Sequence, residues 1–360
     1  MRPVKTTSWS QMVDILIEDS VVVTMDAEMR VIEHGAVAVQ DGKIVGVGKN
    51  EELKQRHTAE KIINARGKAV LPGLINAHTH LATECFRGMA DLNPLVSYTF
   101  MIKRFLSDEY LYRFGLLGCL ELLKSGTTCV ADNYQNARNI GRAMERSGIR
   151  GILSEQFSEA DMDSYPWLCR YVPDQGERQL RMNLELIQEW HSKANGRITA
   201  CLGPHAPDTC TPEFLEKVRG LADKHKTMIT IHLAQHLPEI EWIRERYGKS
   251  PVEYLRDTGI LGPDVFAAHC IHFTEGDLKL FKESRAGICH CPTNFVRSGQ
   301  ATPLVRWRQA GISKIGLASD NILHDLFQNM RFANYLARQY VAERPDLYAS
   351  WPHVPTPIKC

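Results

Sequence analysis

Four residues of metal-binding types stand out because of their spacing along the chain. His78 and His80 are separated by one residue, and on a β-strand that spacing directs both imidazoles to the same side. His232 and Asp320 complete a set of three nitrogen donors and one carboxylate. Such a set suits Zn²⁺, with Fe²⁺ or Mn²⁺ as alternatives. We therefore predict one divalent ion held by these four side chains.

A structural role for these histidines is the competing interpretation. A lone buried histidine is usually a hydrogen-bonded core residue, and two histidines flanking one residue occur often by chance. Four such residues, two paired on one predicted strand and the others at the ends of separate strands, are much harder to obtain by accident. The predicted strand that leads to His205 offers no further anionic ligand. We therefore expect one ion rather than a bridged pair.

A metal ion at this position predicts hydrolytic chemistry. A bound divalent ion lowers the pKa of water towards neutrality and creates a hydroxide nucleophile. Asp320 is the natural acceptor for the proton that is released, and it can pass that proton to a leaving group. His269 follows another apolar run and would hydrogen-bond the hydroxide or polarise the substrate; a role in packing is its competing interpretation.

The elements that must position these residues form a repeating pattern. Helical segments, such as 212–225 and 251–258, separate short apolar runs of strand length. The eight runs are 74–80, 127–134, 149–157, 198–204, 228–236, 265–273, 286–292 and 314–321. Eight strand–helix units predict an α/β protein with a (β/α)8 TIM-type barrel, whose reacting groups lie at the C-terminal ends of the strands. A doubly wound sheet is less favoured, because no Gly-x-Gly-x-x-Gly follows an early strand.

The first seventy residues predict a small β domain. The runs 15–17, 21–23 and 37–39 are rich in β-branched or apolar residues. Asp41-Gly42 lies between two such runs and predicts a hairpin with a type I′ turn. We expect a small N-terminal β-sandwich domain at 1–70, the barrel at 71–345 and a tail at 346–360.

Composition excludes several classes of protein. Of 360 residues 44% are apolar and 24% charged, which is ordinary for a globular chain and unlike collagen, disordered or membrane proteins. The 43 basic and 42 acidic residues leave a charge of +1, so we expect no nucleic-acid partner. The ten cysteines form no repeated C-x-x-C pattern, and we find neither a leader nor an apolar run long enough to span a membrane. We expect a reduced, cytoplasmic protein without a membrane partner, acting on a small-molecule substrate.

The sequence 71–80, LPGLINAHTH, followed by Phe86-Arg87-Gly88, resembles the start of the barrel in the amidohydrolase superfamily. Within that superfamily, the sequence is similar to the methylthioadenosine/S-adenosylhomocysteine deaminases and the triazine chlorohydrolases. Further matching segments are 124–128, 203–207, 248–255, 268–270 and the strand of Asp320. The resemblance extends from residue 14 to about residue 340. It implies a (β/α)8 barrel with a small β-sandwich and one metal ion on the four residues named above. It also implies a role beside the metal for His269 and a place in the substrate pocket for His205.

Two positions depart from the pattern of the deaminases in this superfamily. Gln235 occupies the place of a glutamate that protonates a ring nitrogen, and an amide cannot deliver a proton. Ser97 occupies the place of a glutamate that grips ribose hydroxyls, so we do not expect a nucleoside substrate. Both remain predicted substrate-binding positions.

These departures lead to our main expectation and its alternatives. We expect hydrolysis of a non-peptide C–N bond in a small neutral, aromatic or N-substituted compound, with amides, ureas and carbamates slightly favoured. The first alternative is an aminohydrolase or chlorohydrolase acting on a purine, pyrimidine or triazine-like heterocycle. The second alternative is a metal-binding barrel without catalytic activity.

Two further expectations concern the rest of the chain. We expect the small β domain to lack the segment that completes its sandwich, and a homo-oligomer to compensate for the uncovered apolar faces. A structural zinc site on Cys270, Cys289, His290 and Cys291 is a less favoured interpretation, because buried cysteine usually behaves as a small hydrophobe. His272, His290 and His324 are additional candidates for the wall of the pocket.

Overall fold

The computed structural model describes residues 10–88, 106–162, 170–300, 302–321 and 323–344. The chain divides into two compact units, and the boundary falls between Gly73 and Leu74. Each unit builds its own hydrophobic core. The expected tail at 346–360 lies outside the described residues.

The small unit is a mixed β-sheet with one helix. Its elements are β1 Gln11–Val23, β2 Val31–Gln40, β3 Lys43–Lys49, α1 Asn50–Arg56, β4 His57–Asn64 and β5 Ala69–Val70. The strand order is β3-β2-β1-β4, with β4 and β5 parallel to β1 and the other pairs antiparallel. Leu16 and Leu53 contribute to a core on one side of this sheet, whereas Ile44 and Ile62 are exposed.

The hairpin in this unit follows the predicted turn chemistry. Asp41 and Gly42 both have positive φ, 51° and 69°, as a type I′ turn requires. The two apolar runs at 15–17 and 21–23 belong to one strand, β1. A bulge near Asp19, whose φ is 57°, lets the chain continue in the same sheet.

The second unit is a barrel of parallel strands. Its strands are β6 Leu74–Thr79, β7 Thr127–Tyr134, β8 Arg150–Phe157, β9 Ile198–Ala200, β10 Gly203–Pro204, β11 Ile229–Leu233, β12 Val265–His269, β13 Gly287–His290 and β14 Ile315–Leu317. Its helices are α2 Asp108–Lys124, α3 Ala137–Ser147, α4 Pro173–Trp190, the single turn α5 Lys193–Gly196, α6 Pro212–His225, α7 Leu237–Tyr247, α8 Pro251–Asp257, α9 Glu275–Ser284, α10 Pro292–Arg297, α11 Leu304–Gln309 and α12 Leu326–Ala342. Short 3₁₀ helices span Leu81–Phe86 and Pro207–Thr209.

Two four-strand arcs join to close the ring. One arc has the order β10-β8-β7-β6, with β9 also beside β8, and the other has the order β11-β12-β13-β14. Leu202 bridges to Ile229 at one junction, and Thr79 bridges to Asp320 at the other. All eight predicted strands are present, the fourth of them in two pieces, β9 and β10. Closure brings residues that are 241 positions apart into neighbouring strands, and the expected TIM-type barrel is confirmed.

Within the described ranges, no helix is both long and apolar enough to cross a lipid bilayer.

Candidate metal centre

The first barrel strand, β6, carries two of the predicted ligands. His78 lies on β6 and His80 directly follows it, and both are buried. One donor atom each of His78, His80 and His232 lie within 4.8 Å of one another. Because strands β6 and β11 approach the same point at the mouth of the barrel, three imidazoles converge although they are far apart in sequence.

Backbone carbonyls determine how two of these rings are oriented. The Nδ1 of His80 lies 2.6 Å from the carbonyl oxygen of Asn133, and the Nδ1 of His232 lies 2.9 Å from that of His205. A carbonyl can only accept, so each Nδ1 carries the proton and each Nε2 presents a lone pair. This arrangement of metal-binding histidines fixes the tautomer that can coordinate an ion.

Asp320 lies beyond the end of β14 and approaches the histidines. Its Oδ1 lies 3.3 Å from the Nε2 of His80 and 3.8 Å from that of His78. Donor atoms of His78, His269 and Asp320 form a second group within 4.8 Å. Both groups contain His78, so the donors surround one region.

His269 ends β12 with an unusual backbone, because its φ is 79° and that of Cys270 is 55°. Its ring stacks on that of His232 with a 5.3 Å separation of centroids. Both ring nitrogens are buried and form no hydrogen bond with any described residue. A buried imidazole pays a desolvation cost for such nitrogens, which a ligand or substrate in the site would remove.

The nitrogen and carboxylate donors of the histidine cluster fit a metal ion. The Nε2 of His78 is buried and, within the described part of the chain, has no hydrogen-bond partner. Burial lowers the pKa of His78 and of His269 well below the usual value, and neighbouring histidines lower it further. These rings are therefore neutral at physiological pH, which is the form that binds a metal ion. Neutral nitrogens beside one carboxylate match the chemistry of Zn²⁺.

The structure describes two of the three predicted substrate-binding residues, His205 and Gln235. His205 is buried, its Nδ1 lies 3.1 Å from the Oγ1 of Thr209, and its ring lies 5.0 Å from that of His232. Gln235 is half-buried two residues after β11. The structure thus brings His205 beside the predicted ligands. Ser97 lies outside the described residues, so its predicted role stays a prediction.

Glu239 is a residue that sequence reasoning misjudged. On sequence grounds it resembles an exposed helix residue, but it is only 1% exposed. Its carboxylate accepts the backbone N–H groups of Ala234 at 2.7 Å and Gln235 at 2.8 Å. Burial, with Asp208 nearby, raises the pKa of Glu239 to about 8. The position of Glu239 among the apolar residues of α7 does not indicate its burial. Its carboxylate is buried because it accepts N–H groups just after the end of β11, and that end is not evident from the sequence of α7.

The cysteine-rich segment forms no metal group in the described ranges, where the only candidate groups are the two around His78. Burial raises the pKa of Cys289 to about 12 and that of Cys270 and Cys291 well above the usual value. Cys289 and Cys291 pack in a core cluster, as buried cysteines usually do. The structural zinc site was wrong.

A cavity of about 370 Å³ lies at the end of the barrel opposite the histidine cluster. Its lining includes Ile75, Ile152, Phe266 and Ile288, which are at or near the beginnings of their strands. Apart from Asn76 and Lys314, the lining residues are apolar residues, glycines or cysteines, and none of them belongs to a candidate metal group found among the described residues. The candidate site is therefore the histidine cluster at the other end.

Curated proteins of known activity match most of the chain. A 5'-deoxyadenosine deaminase of Methanosarcina mazei is 36% identical over 90% of this chain and 74% of its own length. A 5-methylthioadenosine/S-adenosylhomocysteine deaminase of Desulforamulus reducens is 34% identical over the same shares of the two chains.

Solved structures show the same fold. A zinc-bound adenosine deaminase from Xanthomonas campestris has a TM-score of 0.82 and 26% identity over 92% of this chain and 76% of its own. A zinc complex of atrazine chlorohydrolase from Arthrobacter aurescens has a TM-score of 0.82 and 24% identity over 92% and 78%. The family model described as the Amidohydrolase family matches residues 69–350. The resemblance inferred from the motifs is confirmed, and the chain belongs to the amidohydrolase family.

Proposed function

We propose that this hydrolase is an aminohydrolase that replaces an amino group on a carbon of a nitrogen heterocycle by oxygen and releases ammonia. The observation that carries the proposal is the convergence of neutral imidazoles and one carboxylate at the barrel mouth. Curated relatives at 36% and 34% identity, named as deaminases, support this reaction over the amide or urea hydrolysis expected from the sequence. They also weigh against a barrel without catalytic activity.

We assign His78, His80, His232 and Asp320 as ligands of one Zn²⁺ ion. Zinc in such a site supplies a Lewis acid that makes water nucleophilic near neutral pH. The neutral rings and the carbonyl contacts of His80 and His232 support this assignment.

The remaining chemistry is proton transfer by this chain's own side chains. Asp320 accepts a proton from the attacking water and passes it to the departing amine. His269, with unsatisfied ring nitrogens beside His232, hydrogen-bonds the oxygen that adds to the substrate carbon. His205 contacts the substrate from the end of the fourth strand.

We propose a heterocycle that needs no ribose for recognition. Ser97 replaces the glutamate that grips ribose hydroxyls in the related deaminases, and a serine offers a weaker acceptor. Gln235 holds the substrate by hydrogen bonds, since its amide can donate and accept but does not transfer a proton. A purine, pyrimidine or triazine-like amine fits these properties.

Hydrolysis of an amide, urea or carbamate is the second candidate. The observation that favours it is Gln235, because a carbonyl substrate needs polarisation and no protonation of a ring nitrogen. The products distinguish the two candidates, since this reaction releases a substituted amine and the first one releases ammonia.

The test is a product screen on the zinc-loaded protein. Aminated heterocycles and phenylureas would be incubated in parallel, with ammonia and substituted amines measured directly. We expect ammonia from at least one heterocycle, and its loss in D320N, which keeps the shape of Asp320 but removes its basicity. Release of substituted amines alone would favour the second candidate, and no turnover over a broad panel would overturn both.

A further inference from the structure

The backbone of Asp320 adopts a conformation that a non-glycine residue rarely takes. Its φ is 60°, in the left-handed region, which is uncommon for any residue other than glycine. Its N–H donates to the carbonyl of His78 at 3.1 Å, and its carbonyl accepts the N–H of His80 at 2.9 Å. The hydroxyl of Thr79 donates to the same carbonyl at 2.7 Å. These contacts make the main chain at Asp320 a fixed part of the junction between β14 and β6.

Ser319 precedes Asp320 and is held from both sides. Its N–H donates to the Oδ1 of Asn76 at 3.0 Å, and its Oγ accepts from the Nδ2 of Asn76 at 2.7 Å. The Oγ also lies 3.2 Å from the Oγ1 of Thr79. All these residues are buried, so each polar atom must find its partner inside the barrel.

His324 completes this group from the loop before α12. Its Nδ1 lies 3.1 Å from the Oγ of Ser319 and 3.3 Å from the Oγ1 of Thr79. Its Nε2 lies 3.0 Å from the Oε1 of the fully buried side chain of Glu84. Burial lowers the pKa of His324 to about 3, so the ring is neutral. A neutral ring with its proton on Nε2 leaves Nδ1 as an acceptor for a hydroxyl of the group.

We propose that Thr79, Ser319 and His324 act as positioning residues for Asp320. They fix its left-handed main chain, so that its carboxylate stays 3.3 Å from the Nε2 of His80 and 3.8 Å from that of His78. The inference rests on the metal site assigned above. Groups that orient a ligand without touching the metal typically contribute 10- to 100-fold to metal affinity.

The test compares two buried threonines that each donate a hydrogen bond to a backbone carbonyl. Thr227 is also buried and donates to a backbone carbonyl, that of Ala200, at 2.8 Å. It lies before β11, at the opposite end of the barrel from the histidines. T79V and T227V therefore each remove one hydrogen bond from a buried hydroxyl to a backbone carbonyl, but T79V alone acts at Asp320 and also removes the contacts of the hydroxyl with Ser319 and His324. Zinc is added to each metal-free protein in competition with a chromophoric chelator, which gives the dissociation constant for zinc. The unfolding temperature of each protein is measured as well.

We expect T79V to bind zinc about 10- to 100-fold more weakly than the parent protein. T227V and the conservative variant T79S should bind zinc like the parent, although T227V should lose thermal stability. Equal zinc affinities in T79V and T227V would overturn the inference while leaving the proposed function intact. A parent protein that binds no zinc would overturn both. If T79V does not fold, S319A replaces it with the same expectation and the same contrary result.

Discussion

At the scale of single residues, the candidate site combines four predicted metal ligands with an amide side chain, that of Gln235. The backbone carbonyls of Asn133 and His205 hold His80 and His232 in the tautomer that can coordinate an ion. The sequence does not predict these contacts, because a backbone carbonyl is present at every residue. Gln235 is the residue whose chemistry fits the proposed deamination least well, because an amide is a poor proton donor. Its replacement is therefore the most informative single change at the site.

Q235E should raise the rate of ammonia release from an aminated heterocycle. A positioned carboxylic acid can protonate the ring nitrogen, an effect typically worth about 10²- to 10⁴-fold. The measurement is kcat/KM for ammonia release at several pH values, with Q235A as the matched variant that lacks any donor. A Q235E protein that releases no more ammonia than Q235A would contradict this account of Gln235.

At the scale of elements, two buried carboxylates accept backbone N–H groups where a helix begins or a strand ends. Glu155 on β8 accepts the N–H of Asn136 at 2.9 Å and that of Ala137 at 2.7 Å, at the start of α3. The N-terminus of a helix has unsatisfied N–H groups, so a carboxylate there supplies two of the missing acceptors. Glu239 likewise accepts two backbone N–H groups, those of Ala234 and Gln235, just after β11. Residues with left-handed backbone lie at the end of β12, at His269 and Cys270, and just beyond β14, at Asp320.

The stability contribution of Glu155 should depend on pH. Burial raises its pKa from 4.5 to about 7, so the folded state favours the protonated form. Stability from this group is fully present below pH 4.5 and is lost as the pH rises through 7. The unfolding free energy of the parent minus that of E155Q should therefore fall by up to about 3 kcal/mol between pH 4 and pH 8. Urea titrations across this range provide the measurement, and a difference that is constant or grows with pH would contradict the expectation.

Two glycines should respond to alanine in opposite directions. Gly220 lies in α6, and a Cβ there would meet no atom within 4 Å. G220A should stabilise the protein by roughly 0.4–1 kcal/mol because alanine favours the helix and restricts the unfolded chain. Gly42 also has open space but a φ of 69°. G42A should destabilise it by about 1 kcal/mol. Chemical denaturation measures both, and equal effects of the same sign would contradict the argument.

At the scale of the whole molecule, the proposed site joins the two arcs of the barrel. His78 and His80 come from one arc, whereas His232 and Asp320 come from the other. An ion held by both arcs binds the folded chain and not the unfolded one. Metal binding and folding of the barrel should therefore be coupled.

Removal of zinc should lower the unfolding temperature of the barrel. Zinc at 1,000 times its dissociation constant would add about 4 kcal/mol to the unfolding free energy. Calorimetry of the metal-free protein, with and without added zinc, provides the measurement. Magnesium is the control, since it prefers oxygen ligands and should not stabilise this nitrogen-rich set. Equal stabilisation by both ions would indicate a site of different composition.

The oligomeric state expected from the small unit stays a prediction. Met12, Val31, Ile44 and Ile62 are exposed on this unit, which is consistent with an uncovered apolar surface. Sedimentation of the purified protein tests it, and a monomer at micromolar concentration would contradict it.

The sequence by itself determined the features that depend on local physics. Apolar runs placed eight strands, and Asp41-Gly42 set a hairpin because both residues tolerate positive φ. The spacing of His78 and His80 placed two imidazoles on one side of a strand.

Only the tertiary structure decided which distant groups meet. The junction of Thr79, Ser319 and His324 arises because the chain just after the last strand bridges to the first strand, and Thr79 and Asp320 are 241 positions apart. Glu239 is buried for the same kind of reason, since its partners are amides at the end of another element. Strand register and ring closure create these contacts, and neither is a property of a short segment of chain.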